Sequence, residues 1–136
     1  MAGYSGTPLV TKLGIKEGFR YALMNAPAGF ARELEPLPAN TTSVTRMTKD
    51  LDVVLYFCKS EKRLQKDFSV LARCIKPNGM IWIAWPKKSS KVETDLAFEN
   101  VQRIGLATGL VDVKICAIND VWSGLKFVVR LKDRES

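Results

Sequence analysis

Two unbroken apolar runs constrain the fold of this chain more than any other feature of its sequence. They are residues 52–58 (DVVLYFC) and 80–85 (MIWIAW), and each has the length of one β-strand. Strands without polar alternation are typical of a parallel sheet that is covered on both faces. Between them, Ser60 can cap a helix that runs to about Lys76 and ends at Pro77-Asn78-Gly79. The sequence therefore predicts a strand–helix–strand unit, with the second run near the sheet centre.

The amino-terminal part predicts smaller elements. Thr7-Pro8 is a good start for a short helix that Gly14 can close, because Thr can cap and Pro suits the first helical position. Residues 19–24 predict a strand, and residues 30–35 a brief helix. The polar, turn-rich residues 36–50 carry no firm assignment.

The carboxyl-terminal part predicts a helix followed by a hairpin. Ser90 and Glu93 have the spacing of a capping box, so we expect the helix to begin near Lys91. Residues 111–118 and 125–131 predict two antiparallel strands joined by a short turn. The whole chain, residues 1–136, is therefore predicted to be one α/β domain. It should have three layers and a mostly parallel open sheet of about five strands that ends in the hairpin.

Residue usage excludes some kinds of site. The chain has no histidine, which excludes His-based acid–base catalysis and argues against a zinc site, so no metal is expected. Its three cysteines lie far apart in apolar runs, which is typical of buried thiols in a reducing compartment. The sequence shows neither a secretion signal nor an apolar run as long as a membrane span. We therefore expect a cytoplasmic protein.

The positive charge is concentrated in one stretch. Residues 59–91 hold nine basic and two acidic residues, which accounts for the net charge of +7. Part of this charge falls on one face of the predicted helix, a basic face formed by Lys59, Lys62, Lys66 and Arg73. That face is either a solvated outer surface or a site for nucleic acid or another partner.

Several phrases resemble class I S-adenosylmethionine-dependent methyltransferases. Residues 75–80 (IKPNGM), ahead of an apolar strand, resemble the approach to that family's fifth strand, and residues 13–20 (LGIKEGFR) resemble the lead-in to its first. The resemblance implies a methyltransferase-like fold and S-adenosylmethionine as a cofactor to consider. The chain departs from the family at residues 25–29 (NAPAG), where a glycine-rich loop is usual, and the acidic residue before that loop is absent. The fold thus resembles a shortened methyltransferase with a reduced cofactor half.

A second resemblance is to a family of small bacterial proteins that is catalogued only as a domain of unknown function. It is carried by the phrases AGYSGTPL (2–9), NAP (25–27), WPKK (85–88) and WSGLKF (122–127). The resemblance implies a common fold and no activity.

Candidate ligand-binding residues follow the predicted strands, since open parallel sheets bind ligands beyond the carboxyl ends of their strands. The strand at 52–58 delivers Lys59 and Ser60 to that edge. The candidates at the ends of the other strands are Asn25, Pro27, Trp85, Lys87, Lys88, Ser89, Asn119, Asp120 and Trp122. Tryptophans with a few polar groups are typical of a small-molecule pocket.

The loop 87–91 is the sharpest of these candidates. Its lysines and hydroxyls, with the amino end of the predicted helix, could bind a phosphate or carboxylate. The alternative is a solvated loop in which Ser90 only caps the helix. Trp85 and Trp122 could stack on a ligand ring or could pack in the core.

Three functions remain open from the sequence. The first is a binding domain for a small anionic ligand that can carry an aromatic ring, held at the carboxyl edge of the sheet. The second is an atypical S-adenosylmethionine-dependent methyltransferase. The third is a module that binds nucleic acid or another partner through the basic face.

Overall fold

The structure, a computed structural model, describes residues 7–134 and has three α-helices and six β-strands within them. The helices are α1 (Leu9–Leu13), α2 (Glu61–Cys74) and α3 (Phe98–Ala107). The strands are β1 (Arg20–Met24), β2 (Thr42–Val44), β3 (Leu51–Phe57), β4 (Ile75–Pro86), β5 (Leu110–Ala117) and β6 (Trp122–Val129). Short 3-10 turns lie at Phe30–Leu34, Lys88–Ser90 and Leu131–Asp133.

The six strands form one mixed sheet in the order β2-β1-β3-β4-β6-β5. The first four strands are parallel, and β6 is antiparallel to both β4 and β5. β5 therefore points in the same direction as β1, β3 and β4. The predicted mostly parallel sheet with a terminal hairpin is confirmed, and the unassigned residues 36–50 contribute the extra strand β2.

Helices cover the sheet on both faces. α2 and α3 pack on one face, where Leu64, Phe68 and Val101 are fully buried against β3, β4 and β6. The short α1 and the turn Phe30–Leu34 pack on the other face, with Leu13 buried against Trp82. Every residue of β3 is buried, because it is covered from both sides. Burying each such large apolar side chain contributes roughly 1.5–3 kcal/mol.

The strand–helix–strand unit forms as predicted, with a correction at the end of the helix. Ser60 caps α2, since its hydroxyl accepts from the Arg63 N–H at 3.2 Å. The predicted end at Lys76 is wrong: Ile75 is already extended (φ −93°, ψ 151°) and pairs with Leu51. Gly79 lies inside β4 rather than in a terminating turn, where an added Cβ would stand 2.9 Å from the Leu51 carbonyl oxygen. A close backbone approach thus explains this glycine.

The start of α3 differs most from the prediction, because the helix begins at Phe98 and not near Lys91. Ser90 bonds locally, with its hydroxyl donating to the Lys87 carbonyl and accepting from the Val92 N–H. Lys91 has a left-handed backbone (φ 61°), which ends the 3-10 turn. The segment then runs as a loop that is anchored to the start of α2. Thr94 donates to the Lys59 carbonyl at 2.7 Å, and the Asp95 carboxylate accepts from the Glu61 N–H at 2.7 Å.

Helix α1 ends as predicted but is not capped by the predicted residue. Thr7 does not cap the helix, because Pro8 occupies the capping position and no side chain bonds there. Gly14 closes it as predicted, with φ 83° and its N–H bonded to the carbonyl groups of Val10 and Thr11.

Candidate functional site

The carboxyl ends of β1, β3, β4 and β5 meet at one edge of the sheet, and β6 begins at the same edge. β1 and β3 are neighbours in the sheet. The connection that follows β1 and the connection that follows β3 lead to opposite sides of this pair. After β1 the chain passes over the face of α1 to reach β2, whereas after β3 it passes through α2 on the opposite face. Such a reversal opens a crevice, which is the usual ligand site of an open α/β sheet.

A cleft of about 430 Å³ lies at this reversal. The residues that line it are Asn25, Pro27, Phe57, Cys58, Lys59, Ser60, Arg63 and Trp122. They come from the ends of β1 and β3, the first turn of α2 and the start of β6. The cleft therefore combines an aromatic floor with a polar and basic rim.

The aromatic floor is rigid. The Phe57 ring packs edge-to-face on Phe30 and on Trp122, with 4.9 Å between centroids in both cases. Trp122 is 8% exposed, so only a small part of the indole faces the cleft. The Asn119 carboxamide oxygen accepts from the Trp122 N–H at 3.0 Å, which holds the start of β6 in place. An apolar group in the cleft would meet a preformed surface.

Asn25 joins the two strands of the crevice. It is exposed and has a left-handed backbone (φ 59°), a conformation that asparagine tolerates better than most residues. Its amide nitrogen donates to the Phe57 carbonyl at 3.3 Å. Asn25 thus supports the turn at the end of β1, and it also lines the cleft.

The basic rim consists of Lys59 and Arg63, which are both exposed. The Arg63 guanidinium lies 3.9 Å from the Asp67 carboxylate, with the arginine side chain 65% exposed. A pair this long and this exposed contributes little, so the guanidinium stays available to an anion. Lys59 and Arg63 therefore give the cleft a positive mouth.

A second groove of about 480 Å³ adjoins the cleft along α2, and the two share Ser60 and Arg63. It is lined by Lys62 and Lys66 of the predicted basic face together with Asp67, while Arg73 lies exposed near the far end of α2. The residues of the predicted basic face are therefore exposed on the surface of the protein. The role of this face in nucleic-acid binding stays a prediction.

The two acidic residues of this stretch are engaged by other side chains. Tyr56 donates its hydroxyl to Asp67 at 2.5 Å, and burial together with this hydrogen bond raises the pKa of Tyr56. Glu61 accepts from Arg103 and from Asn100 of α3, and these hydrogen bonds lower the pKa of the Glu61 carboxyl. Neither carboxylate cancels the charge of Lys59, Lys62 or Lys66 at short range.

The expectation that Trp85 and Trp122 border one pocket is wrong, because only Trp122 lines the cleft. Pro86 is the register partner of Trp122, and Trp85 is the partner of Ser123. Since neighbouring residues of a strand point to opposite faces, the two indoles lie on opposite sides of the sheet. Trp85 is buried among the residues beneath α2 and α3, whereas Trp122 belongs to the core on the α1 side.

The predicted phosphate loop does not line this cleft either. Lys88 and Ser89 are exposed in the 3-10 turn, and Lys87 is tied through its N–H to the Val121 carbonyl at 2.7 Å. The helix amino end expected there is absent from this loop, because α3 begins at Phe98. The predicted contribution of a helix amino end to an anion site at this loop is therefore wrong, whereas anion binding by Lys87, Lys88 and Ser89 stays a prediction.

Asn119 and Asp120 form the turn between β5 and β6. The Asn119 amide donates to Glu33 at 3.1 Å while its oxygen caps the Val121 and Trp122 N–H groups, so its polar atoms serve the turn. Asp120 is exposed. Of the nine candidates at the ends of the other strands, the cleft brings together Asn25, Pro27 and Trp122, and Lys59 and Ser60 also line it.

Phe57 and Arg63 line the cleft but are absent from the candidates chosen from the sequence. Phe57 ends a strand and shares its face with Leu55 and Val53, so strict alternation along β3 would have indicated it. Arg63 lies three residues after the cap Ser60, and a side chain in the first turn after a parallel strand lies at the ligand edge.

No family model matches the chain, and no curated protein matches it in sequence. The resemblance to a small bacterial family of unknown function therefore has no support from these comparisons. Residues 2–6 of its opening phrase also lie outside the described residues.

Solved structures do match the fold. An S-adenosylmethionine-dependent methyltransferase from Clostridium acetobutylicum superposes with a TM-score of 0.61 and 9% identity, over 87% of this chain and 85% of that chain. One from Aquifex aeolicus gives 0.59 and 15% identity, over 92% and 89%. A protein from Pyrococcus horikoshii gives 0.64 and 11% identity, over 90% and 87%. Identities this low show a methyltransferase-like α/β fold and nothing more specific. No helix among the described residues is both long and apolar enough to cross a membrane.

Proposed function

We propose that this chain is a small-molecule-binding domain whose cleft takes a ligand with one anionic group and one flat apolar part. The observation that supports this most strongly is the composition of the cleft at the reversal between β1 and β3. Phe57 and Trp122 offer an apolar floor, and Lys59 and Arg63 stand at the mouth. Lysine and arginine are the usual partners of carboxylate and phosphate groups in proteins.

In this proposal Arg63 and Lys59 bind the anionic group, and the apolar part rests against Phe57 and the edge of Trp122. Asn25 and Pro27 form the opposite wall. Binding rather than catalysis is favoured, because the chain contains no histidine to act as a base near neutral pH.

The test is a titration with a panel of nucleotides and aromatic carboxylates, read by tryptophan fluorescence, with Trp122→Phe to assign the signal to the cleft. A ligand of the proposed class should lose about tenfold in affinity in the double variant Lys59→Gln/Arg63→Gln, the loss expected for weakened hydrogen bonds to charged groups. The matched control is Lys87→Gln/Lys88→Gln, which removes the same charge from the neighbouring loop.

Two results contradict the proposal. One is that no anionic compound of the panel binds the wild-type chain at millimolar concentration. The other is that the control double loses as much affinity as the cleft double, which would place the anion at the loop.

A second candidate is an atypical S-adenosylmethionine-dependent methyltransferase. It is supported by the fold shared with such enzymes and by the position of the cleft at the reversal of the sheet. The fit to the cofactor is poor at two points. Among the described residues, those that line the cleft include no carboxylate for ribose hydroxyls, and the basic rim would repel the positive sulfonium.

Calorimetry separates these functions. The two ligands are S-adenosylmethionine and S-adenosylhomocysteine, whose sulfur atom carries no charge. A methyltransferase should bind both. If neither binds at millimolar concentration while an anionic aromatic compound does, the methyltransferase candidate fails and the first proposal stands.

A further inference from the structure

A second basic surface lies on the α1 face of the sheet, away from the cleft. It is formed by four residues from the two ends of the sequence, here called the lysine cluster: Lys12, Lys16, Lys114 and Lys126. The short α1 and the 3-10 turn Phe30–Leu34 pack mainly over β1, β3 and β4. The outer strands β5 and β6 therefore present Lys114 and Lys126 on a thinly covered part of this face, beside α1.

Two of the four lysines stand directly opposite each other. Lys114 of β5 is the register partner of Lys126 of β6, just beyond an irregularity in the pairing after Asp112. Side chains at such positions have Cβ atoms roughly 4.5–5.5 Å apart, and like charges there are destabilising. The strand pairing therefore places two lysines opposite each other, an arrangement that is energetically unfavourable.

The ammonium group of Lys126 lies over a buried aromatic ring. It lies 5.8 Å from the centroid of the Trp82 ring, within the range of a cation–π contact. The Trp82 indole nitrogen donates to the Leu13 carbonyl at 3.0 Å, so the end of α1 with Lys12 lies beside the same ring. Trp82 is thus the common support of residues from α1 and β6.

Electrostatics agree with this placement. Partial burial lowers the pKa of Lys126, and the charges of Lys114 and Lys16 lower it further. Burial raises the pKa of the Cys116 thiol, against the opposing effect of Lys12, Lys114 and Lys126. All four lysines therefore act on one small region.

Within residues 7–134, the ion pairs join Arg63 to Asp67, Lys76 to Asp52, and Arg103 to Glu61. No carboxylate of the described chain lies within 4.0 Å of a lysine of the cluster. A concentration of cations without internal counter-charge attracts multivalent anions from solution.

We propose that the lysine cluster binds a compact polyphosphate group, either free pyrophosphate or the phosphate tail of a nucleoside diphosphate. Several lysines whose charges act on one region suit an anion with adjacent phosphates, because each phosphate carries about −1.5 to −2 charge. Bound phosphate would relieve the repulsion between Lys114 and Lys126. This site is separate from the cleft: Lys126 lies four positions after Trp122 along β6, a distance of about 14 Å at about 3.4 Å per residue.

The experiment is a calorimetric titration of the full chain with pyrophosphate at low ionic strength. The double variant Lys114→Gln/Lys126→Gln should bind at least about fivefold more weakly. The matched control is Lys62→Gln/Lys66→Gln on α2, which removes the same charge and should stay within about twofold of the wild type. Thermal melts check folding, and Lys114→Gln alone should keep or raise the melting temperature because it relieves the like-charge pair.

Parallel titrations with ADP, AMP and adenosine identify the source of the phosphate. Affinity for ADP equal to that for pyrophosphate indicates recognition of the phosphates alone, and tighter ADP binding that still needs Lys114 and Lys126 indicates a nucleotide. Amide shifts in NMR should map to β5 and β6 around Cys116.

The proposal is overturned if pyrophosphate does not bind, if both double variants lose affinity equally, or if the amide shifts are confined to the cleft around Asn25 and Trp122. The last result would show that the anion binds in the cleft, which would support the function proposed above. If the variants of Lys59 and Arg63 do not weaken ligand binding, the proposal for the cleft fails and the proposal for the lysine cluster is unaffected. The two proposals therefore fail separately.

Discussion

Replacing Gly105 by alanine tests how closely α3 packs on the sheet. A Cβ added at Gly105 would lie 2.0 Å from one edge carbon of the Phe127 ring and 2.4 Å from the next. Ordinary contacts between carbon atoms are about 3.5–4.0 Å. Phe127 is fully buried and packs edge-to-face on Phe68, with 5.2 Å between centroids, so its ring has little room to move.

The expected change in the free energy of unfolding follows from two opposing effects. Overpacking a dense core costs about 1–3 kcal/mol, and this clash belongs at the upper end. Alanine gains about 1 kcal/mol over glycine in helix propensity. The net expectation for Gly105→Ala is a loss of about 2 kcal/mol in the free energy of unfolding, which lowers the melting temperature by about 8 °C for a chain of this size. Urea denaturation followed by circular dichroism measures this loss.

A double-mutant cycle with Phe127→Leu isolates the clash. The smaller leucine makes room for the added methyl group, so the two substitutions together should cost at least about 1 kcal/mol less than the sum of the singles. The reasoning is refuted if Gly105→Ala is neutral or stabilising, or if the cycle shows no coupling.

Three further predictions concern single contacts of the described residues. Burial and the hydrogen bond to Asp67 raise the pKa of Tyr56, so the neutral phenol is favoured in the fold. Stability should be intact below the ordinary tyrosine pKa of about 10 and fall above it, and Tyr56→Phe should abolish that part of the fall in denaturation curves measured from pH 8 to 11. Hydrogen bonds from Arg103 lower the pKa of the Glu61 carboxyl, so its stabilisation is present above its ordinary pKa and lost as the pH drops through the lowered value. The stability difference between the wild type and Glu61→Gln should therefore vanish in strong acid, and a difference that persists there would contradict the link between α2 and α3. Ser60→Ala removes the cap of α2 and should cost about 1 kcal/mol in urea denaturation, whereas an unchanged midpoint would show that the cap is unimportant.

Much of the fold could be predicted because its signals are local. The unbroken apolar run of β3 is visible in consecutive residues, and the capping Ser60 lies directly before the helix that it caps. The hairpin of β5 and β6 likewise follows from two adjacent strand patterns with a short turn between them. These elements depend on neighbours within about one helical turn or one strand.

The start of α3 was not predictable in this way. Ser90 and Glu93 have the spacing of a capping box, yet the segment that follows is held as a loop by bonds from Thr94 and Asp95 to the start of α2. Those partners lie more than 30 residues away in sequence. Tertiary hydrogen bonds therefore overrode a local helix signal.

The amino-acid sequence by itself determined the alternation of helices and strands, the parallel core and the edge of the sheet at which a ligand site should lie. Only the tertiary structure decided which side chains meet. Strand register placed Trp85 and Trp122 on opposite faces, and the packing of α1 on Trp82 brought the end of that helix to the ring over which Lys126 lies. Periodicity specifies the environment of a residue, whereas convergence depends on strand order and register, which no short stretch of sequence contains.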